Sequence, residues 1–428
     1  MKIDSYDSGV FRVRSPNLHL SRAMQRMDEE LPAIHPVKPI AQPLPPLNSF
    51  PAPKNVLLRK TLPPLPPIEA KEEKISKFTA SKDSLLDKDD ELKSLLDKRN
   101  VRTLVIGVGG AGNNMVSRFQ EFMIPGCRTL CVNTDVQDLY YSNADEKLLI
   151  GKRITKGLGA GNNYEIGELA AVEDFERLKV VMDSDLVFMT CGLGGGTGTG
   201  AAPIIAKAAK DSGAIVVSIV SLPFKMEGPT KETIAYTGLR RLAEQSDTVI
   251  PLANQRLLSL VPNIKIHQGF KIMDEILTRS VSGVLDLVTK PGLVNLDFAD
   301  IKSIIERNNK NRTARDATSV IGMTEVTRTS TDHLKKYTTR ALNNPLIEPD
   351  INEIKNALVG ISGDFKVNLT QVNTIVSTVQ EQIHPSANVK WGFIQDPTLN
   401  GKLRITVLGN GFTSPFIQKA FTTGIEAI

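Results

Sequence analysis

Short apolar runs alternate with amphipathic stretches through the middle of the chain. The runs at 101–106, 128–135, 185–190 and 214–221 have the length of buried strands, and helical patterns separate them. This alternation predicts a parallel sheet with helices on both faces over residues 101–264. The loops at the carboxyl ends of these strands are polar and rich in glycine, which is where such sheets bind ligands.

A long helix is predicted next. Between His267 and Thr289, apolar residues recur every three or four positions, so the helix is expected to be largely buried between two halves of the protein. Another helix is expected after Leu369, and alternating residues at 388–394 and 402–408 predict strands of a second sheet. The predicted fold class is α/β: a parallel-sheet domain, a long central helix and a smaller α/β domain with a mixed sheet.

The first hundred residues have a different pattern. Residues 1–80 are dominated by Pro, Ser and charged side chains, which predicts a disordered Pro-rich tail. Residues 81–100 place leucines among charges at helical spacing and predict a lead-in helix. The predicted boundaries are 1–80 for the tail, 81–100 for the lead-in helix, 101–264 for the first domain, 265–290 for the central helix and 291–428 for the C-terminal domain.

The strongest chemical signal is the segment Cys191–Gly200, CGLGGGTGTG. It lies between a predicted buried strand and a predicted helix over 201–210, with Pro203 expected in the first turn of that helix. Glycines let backbone N–H groups approach phosphate oxygens, the threonine hydroxyls add donors, and a helix N-terminus favours negative charge. The segment therefore predicts a phosphate site, although it lacks the Gly-Lys-Ser/Thr ending of a P-loop.

A second glycine-rich loop, Gly107–Asn114, follows the first strand. Gly107, Gly109 and Gly112 fit the dinucleotide fingerprint, and Asp135 stands near the position of its ribose-binding acid. A dinucleotide-dependent oxidoreductase is therefore an alternative. Two phosphate loops argue against it, because a dinucleotide has a single pyrophosphate.

Two carboxylates follow the long helix in the segment Asn295–Asp300, NLDFAD. Asp297 and Asp300 are three residues apart and would share one face of a helical turn. From the residues alone, capping of the next helix and a chemical role both remain open.

Composition narrows the class of protein. The 428 residues are 41% hydrophobic and 23% charged, as in soluble globular proteins. A net charge of +5 without a long basic block gives no reason to expect nucleic acid. Cys127, Cys131 and Cys191 lack metal-ligand spacing and indicate core packing in a reducing compartment. There is neither a signal peptide nor an apolar run of 18 residues, so a cytoplasmic protein without a direct membrane span is expected.

Together these motifs resemble the FtsZ/tubulin superfamily of self-assembling GTPases, and within it the FtsZ family. The resemblance runs from about Val101 to Phe412. It is carried, in the order of the family, by residues 109–114, 132–135, 157–161, 192–200, 223–228 and 295–300. The GGAGNN loop and the long N-terminal extension are typical of archaeal members.

The resemblance implies a protein that binds and hydrolyses GTP and polymerises head to tail into protofilaments for a mid-cell division ring. GTP or GDP would be the ligand, and Mg²⁺ would be held through phosphates and water without a direct protein ligand. Glu227 would bind the ribose, Lys231 a phosphate, Phe270 the guanine face and Asp274 the guanine edge. The two phosphate loops would contribute Gly109, Gly110, Ala111, Gly112, Asn113, Asn114, Gly194, Gly195, Gly196, Thr197, Gly198 and Thr199.

The resemblance also implies that the active site is completed between subunits. The loop with Asn295, Asp297 and Asp300 would enter the nucleotide pocket of a neighbouring copy, and its carboxylates would position the attacking water. The implied partner is therefore a second copy of the same chain.

Departures from the family pattern at Lys231 and at residues 306–316 leave a second alternative, a weakly hydrolysing structural or regulatory relative in cell shape or partition. Lys231 replaces the usual Arg and lacks its bidentate fork. Gln255 replaces an Asp, and the basic segment 306–316 replaces a Gly- and Met-rich stretch. Because no adaptor-binding peptide follows the last domain, we expect the tail to bind a membrane-anchoring adaptor.

Overall fold

The computed structural model describes residues 101–121, 126–261, 265–290, 292–306, 318–327, 330–344, 346–347, 349–412 and 414–423. The predicted tail, the lead-in helix and residues 307–316 of the basic segment lie outside these ranges.

One sheet contains the ten strands of the described residues. The strands are β1 Thr103–Val108, β2 Cys127–Asn133, β3 Glu146–Leu149, β4 Leu186–Gly192, β5 Ile215–Leu222, β6 Thr248–Ala253, β7 Thr318–Thr327, β8 Asn356–Gly363, β9 Asn388–Gln395 and β10 Lys402–Phe412. Their order across the sheet is β3-β2-β1-β4-β5-β6-β7-β10-β8-β9. Strands β1 to β6 are parallel, as the alternation of strands and helices predicts. Strand β10 is antiparallel to both β7 and β8.

The C-terminal strands extend the first sheet, whereas the sequence pattern suggests a second sheet. The connection is a single parallel residue pair between β6 and β7, Val249 with Thr318. A single pair leaves no periodic signal, so the strand patterns alone could not indicate this junction.

Helices cover the sheet, and alternate residues of its strands belong to different apolar cores. Val105 of β1 lies in one core, and Leu104 and Ile106 lie in the other. The helices are α1 Gly109–Gln120, α2 Val136–Tyr141, α3 Lys152–Thr155, α4 Tyr164–Glu173, α5 Phe175–Val181, α6 Gly196–Asp211, α7 Pro229–Gln245, α8 Asn254–Leu260, α9 Ile266–Thr289, α10 Phe298–Ile305, α11 Thr331–Leu342, α12 Leu369–Gln382 and α13 Pro415–Thr423.

The long helix α9 and the helix after Leu369 occupy the residues that their periodicity predicts. The predicted start of α6 at residue 201 is wrong, because the glycine- and threonine-rich residues from Gly196 already form its first turn. Pro203 is therefore the eighth residue of the helix, where its ring nitrogen provides no N–H for a helical hydrogen bond.

The three cysteines contribute to packing. Cys131 and Cys191 are buried, Cys127 is half-buried, and all three are free thiols. Burial raises the pKa of each thiol to about 12.

Among the helices of the described ranges, none is both long and apolar enough to cross a membrane.

Candidate functional site

The two glycine loops meet beside the carboxyl ends of the neighbouring strands β1 and β4. A Cβ placed on Gly109 would lie 3.0 Å from the backbone nitrogen of Gly198. The loop after β2 joins them, since the hydroxyls of Thr134 and Thr197 are 2.7 Å apart. Three loops that are far apart in sequence therefore form one polar site, as expected at this edge of a parallel sheet.

Glycine is required in these loops because backbone segments approach each other closely. A Cβ on Gly112 would lie 2.3 Å from the carbonyl oxygen of Thr190, and a Cβ on Gly198 would lie 2.3 Å from that of Gly192. Gly109 has a φ of 70°, in the left-handed region that favours glycine. These contacts hold the starts of α1 and α6 against the carboxyl end of β4.

Both helices begin without a side-chain cap. Neither α1 nor α6 has a side chain that accepts from its first-turn N–H groups, and neither has an acidic residue in that turn. By contrast, Asp135 caps α2 and Asn163 caps α4. Free first-turn N–H groups at two converging helix N-termini favour an anionic ligand.

The space beside the second loop is open, and a buried amide lies in the first. A Cβ on Gly195 would meet no atom within 4 Å. The side chain of Asn113 is fully buried, and its amide nitrogen and oxygen have no hydrogen-bond partner in the structure. A buried amide without a partner is costly, so a polar ligand at this loop would satisfy it.

Glu227 and Lys231 lie beside the phosphate loop. Their side chains form an ion pair of 3.2 Å between Nζ and Oε2, and the other Glu227 oxygen accepts a 2.8 Å hydrogen bond from the Phe224 N–H. The carbonyl oxygen of Lys231 is 3.1 Å from the position of a Cβ on Gly194. The residues assigned to ribose and phosphate therefore adjoin the second glycine loop.

Asp274 on α9 faces the end of α1. Its carboxylate Oδ2 accepts a 2.7 Å hydrogen bond from Nε of Arg118 on α1. Only 16% of the Asp274 side chain is exposed. Burial raises the pKa of this carboxyl, and the Arg118 guanidinium partly opposes that rise. Phe270 lies one turn earlier on α9, and its side chain lies outside the described part of the structure.

The carboxylate pair has a capping geometry at the start of α10. Asp297 is the N-cap, its N–H donates to Oδ2 of Asp300 at 3.3 Å, and its backbone carbonyl accepts from the Asp300 N–H at 2.9 Å. Oδ1 of Asp300 is 3.3 Å from Nζ of Lys390 on β9, and Oδ1 of Asn295 accepts a 2.6 Å bond from the Gly292 N–H. In the described part of a single chain, these contacts join the three residues to their own loop and to β9, and none joins them to the glycine loops.

The loop before α10 is attached to the edge strand β9. Leu293 N–H donates to the Phe393 carbonyl at 2.9 Å, and Phe393 N–H donates to the Val294 carbonyl at 3.0 Å. The position of the carboxylates is therefore set by the C-terminal strands, and that of the glycine loops by the N-terminal ones.

Two contacts were not predicted from the sequence. Asp138 faces Gly110 and accepts a 2.5 Å hydrogen bond from the Asn133 amide. Burial raises the pKa of the Asp138 carboxyl, and the nearby negative charge of Asp135 raises it further. The sequence feature that could have indicated Asp138 is its position three residues after Asp135. The Arg118–Asp274 pair joins residues 156 apart and leaves no local signal.

We expect Lys231→Arg to bind GTP a few-fold more tightly and Lys231→Ala to bind it more weakly. A guanidinium can contact phosphate with two parallel hydrogen bonds, whereas an ammonium acts as a point charge. The free energy of unfolding should change little, because the pair with Glu227 is about one-third exposed and such pairs contribute about 0–1 kcal/mol. Isothermal titration with GTP measures the affinity, and an Arg variant that binds no more tightly would contradict the expectation.

Comparisons with known proteins give matches to two family models. Residues 102–262 match the model of the Tubulin/FtsZ family, GTPase domain, and residues 317–413 match that of the FtsZ family, C-terminal domain. The chain is 43% identical to Cell division protein FtsZ 1 of Pyrococcus abyssi over 351 residues, which is 82% of this chain and 91% of that protein. It is 40% identical to Cell division protein FtsZ of Methanothermobacter thermautotrophicus over 354 residues, 82% of this chain and 90% of the relative.

Solved structures show the same likeness. The empty FtsZ dimer of M. jannaschii matches with a TM-score of 0.67 and 39% identity, over 76% of this chain and 92% of that one. CetZ1 from Haloferax volcanii, a GDP-bound monomer, matches with a TM-score of 0.66 over 76% of this chain and 99% of that one. Its sequence identity of 23% supports similarity of fold alone.

Proposed function

The chain belongs to the Tubulin/FtsZ family and is a GTPase, and we propose that it assembles head to tail and completes its active sites between subunits. The separation of the site within one chain carries this proposal. The glycine loops and Asp274 can hold a nucleotide, while Asp297 and Asp300 lie on a loop fixed to β9. A repeated contact between two different faces that does not close into a ring gives an open filament.

The nucleotide would lie across the site described above. Its phosphates would accept from the first-turn N–H groups of α1 and α6, where Asn113 would also find a partner. Glu227 would bind the ribose hydroxyls and Lys231 a phosphate. Asp274 would accept from the guanine edge, and Phe270 would pack on the base.

Mg²⁺ fits this site as an ion held by phosphate oxygens and water. Within the described ranges, no group of three His, Cys, Asp or Glu side chains is arranged to hold a metal. Mg²⁺ commonly keeps several waters and binds substrate phosphates, where it neutralises charge.

The carboxylate pair would act on the nucleotide of the neighbouring subunit. Phosphoryl transfer depends mainly on positioning and electrostatic stabilisation. The contribution required of the carboxylate pair is therefore to orient the attacking water near the γ-phosphate. The hydrogen bonds between Asp297 and Asp300 would hold the two residues in fixed positions at the start of α10 for this purpose. Hydrolysis would then depend on assembly.

Cell division is the biological role we propose. The relatives from P. abyssi and M. thermautotrophicus carry the name cell division protein, which supports a role in division. We propose that this role is exercised in a cytoplasmic division ring. Membership of the GTPase family removes the dinucleotide-dependent oxidoreductase as an alternative. The weakly hydrolysing relative in cell shape or partition remains as the rival proposal, and the adaptor-binding tail remains an expectation.

Sedimentation and phosphate release, measured together across protein concentrations, test the proposal. We expect GTP but not GDP or ATP to bring the protein into the pellet, and turnover per subunit to rise steeply above a threshold concentration. Turnover that is independent of concentration would contradict an active site shared between subunits. Sedimentation with almost no phosphate release would favour the weakly hydrolysing relative.

A further inference from the structure

Arg118 joins the two ends of the nucleotide site. It lies in the last turn of α1, the helix that begins with the glycine-loop residues Gly109, Gly112 and Asn113. Its Nε donates to Oδ2 of Asp274 on α9 at 2.7 Å. The Arg118 side chain is 33% exposed and that of Asp274 is 16% exposed, so the pair is partly buried.

We propose that Arg118 is a positioning residue for base selectivity, which holds the Asp274 carboxylate in the orientation and charge state that guanine requires. This inference rests on the proposed role of Asp274 as the residue that reads the base. Arg118 would contact the Asp274 carboxylate and need not contact the nucleotide.

The chemistry of guanine explains why the carboxylate needs a fixed orientation. Guanine presents two parallel donors, N1–H and the exocyclic amino group, to the two oxygens of a carboxylate. Each oxygen has two lone pairs, so Oδ2 can accept from Arg118 and still accept from the base. The Arg118 bond thereby fixes the plane of the carboxylate, and a carboxylate free to rotate would lose part of this bidentate geometry.

The environment of Asp274 explains why it needs a cation. Burial favours the neutral acid, and Arg118 opposes that effect. A neutral carboxyl group presents one donor and one acceptor, which match N1 and the amino group of adenine but leave a single acceptor for the two donors of guanine. Loss of Arg118 should therefore weaken guanine binding and also reduce discrimination between bases.

The ratio of nucleotide affinities tests the proposal. The dissociation constants of GTP, ITP and ATP are measured by competition with a fluorescent GDP analogue, for wild type and for Arg118→Ala. ITP lacks the exocyclic amino group, so it reports the second of the two guanine hydrogen bonds. We expect Arg118→Ala to weaken GTP about tenfold, ITP less and ATP least, because charge-assisted hydrogen bonds to Asp274 are affected.

An equal loss for all three nucleotides would overturn the proposal, because it would indicate general damage to the site. Arg118→Lys keeps the charge and a donor, so it should recover part of the GTP-to-ITP ratio. Arg279→Ala is the matched control. It removes another partly buried arginine, paired with Glu275 at 2.6 Å on the same helix α9, and should leave the ratio unchanged.

Two further variants keep the result interpretable. If Arg118→Ala does not fold, Arg118→Gln keeps a donor without the charge and must still lower the GTP-to-ITP ratio. Asp274→Asn tests the role of Asp274 itself. If Asp274→Asn keeps the wild-type base preference, the proposed base reading fails. If Asp274→Asn loses the preference and Arg118→Ala keeps it, only the role of Arg118 fails.

Discussion

We expect Asp300→Ala to lower steady-state GTP hydrolysis at least about 100-fold while GTP still binds and the protein still assembles. The variant removes a carboxylate that would orient the attacking water, and it leaves the glycine loops, Glu227 and Asp274 intact. Phosphate release and sedimentation with GTP measure the two quantities on the same samples. Hydrolysis within about threefold of wild type would contradict the proposed role of Asp300.

Asp300→Asn separates chemistry from helix capping. Its amide oxygen can still accept from the Asp297 N–H, so this capping hydrogen bond is kept, while the negative charge is lost. If capping were the only role, the Asn variant would hydrolyse GTP normally. We expect it to be nearly as inactive as Asp300→Ala, with an unchanged melting temperature.

The ion pair with Lys390 is no obstacle to this role. Both side chains are partly exposed, 41% for Lys390 and 32% for Asp300. Such pairs typically contribute about 0–1 kcal/mol, so docking of a neighbouring subunit can rearrange this one at low cost.

A mixing experiment tests whether Asp300 acts on the neighbouring subunit. Asp300→Ala keeps a working nucleotide pocket, and a variant with a damaged phosphate loop keeps a working Asp300. A mixture of the two contains some contacts with both working parts. Hydrolysis in the mixture above the sum of the separate variants supports action between subunits, and a merely additive rate contradicts it.

Local patterns in the sequence predicted much of the fold. The 24-residue helix α9 follows from regular apolar spacing, and the glycine loops follow from their composition. The start of α6 was misplaced because glycine and threonine are poor helix formers, yet here tertiary contacts hold them in the first turn. The junction of β6 with β7 depends on one residue pair, which no periodicity can indicate.

The candidate site shows the same limit. Asp274 could be assigned by resemblance, but its contact with Arg118 depends on how α1 and α9 pack. The choice between a capping role and a chemical role for Asp297 and Asp300 also depends on contacts that the local sequence does not specify. The free chain shows the capping contacts, and the chemical role needs a second copy that a single sequence does not describe.

The largest effect on nucleotide binding is expected for Gly198→Ala. The added Cβ would lie 2.3 Å from the backbone carbonyl oxygen of Gly192, so the loop or the start of α6 must move. Overpacking of this kind costs about 1–3 kcal/mol of unfolding free energy. Because Gly109 lies against Gly198, the shift would also separate the two helix N-termini that would hold the phosphates. We therefore expect GTP affinity to fall at least about 100-fold, which equilibrium binding measures.

Gly195→Ala is the matched control within the same loop, and the two variants together separate damage to the loop from contact with the ligand. Gly195 has an ordinary φ of −97°, and its Cβ would meet no protein atom within 4 Å. The melting temperature without nucleotide should therefore stay at the wild-type value, whereas Gly198→Ala should lower it. If phosphates occupy the open space beside Gly195, its methyl group will still weaken GTP binding. Wild-type affinity in Gly195→Ala would place the phosphates elsewhere, and wild-type affinity in Gly198→Ala would contradict the need for two converging helix N-termini.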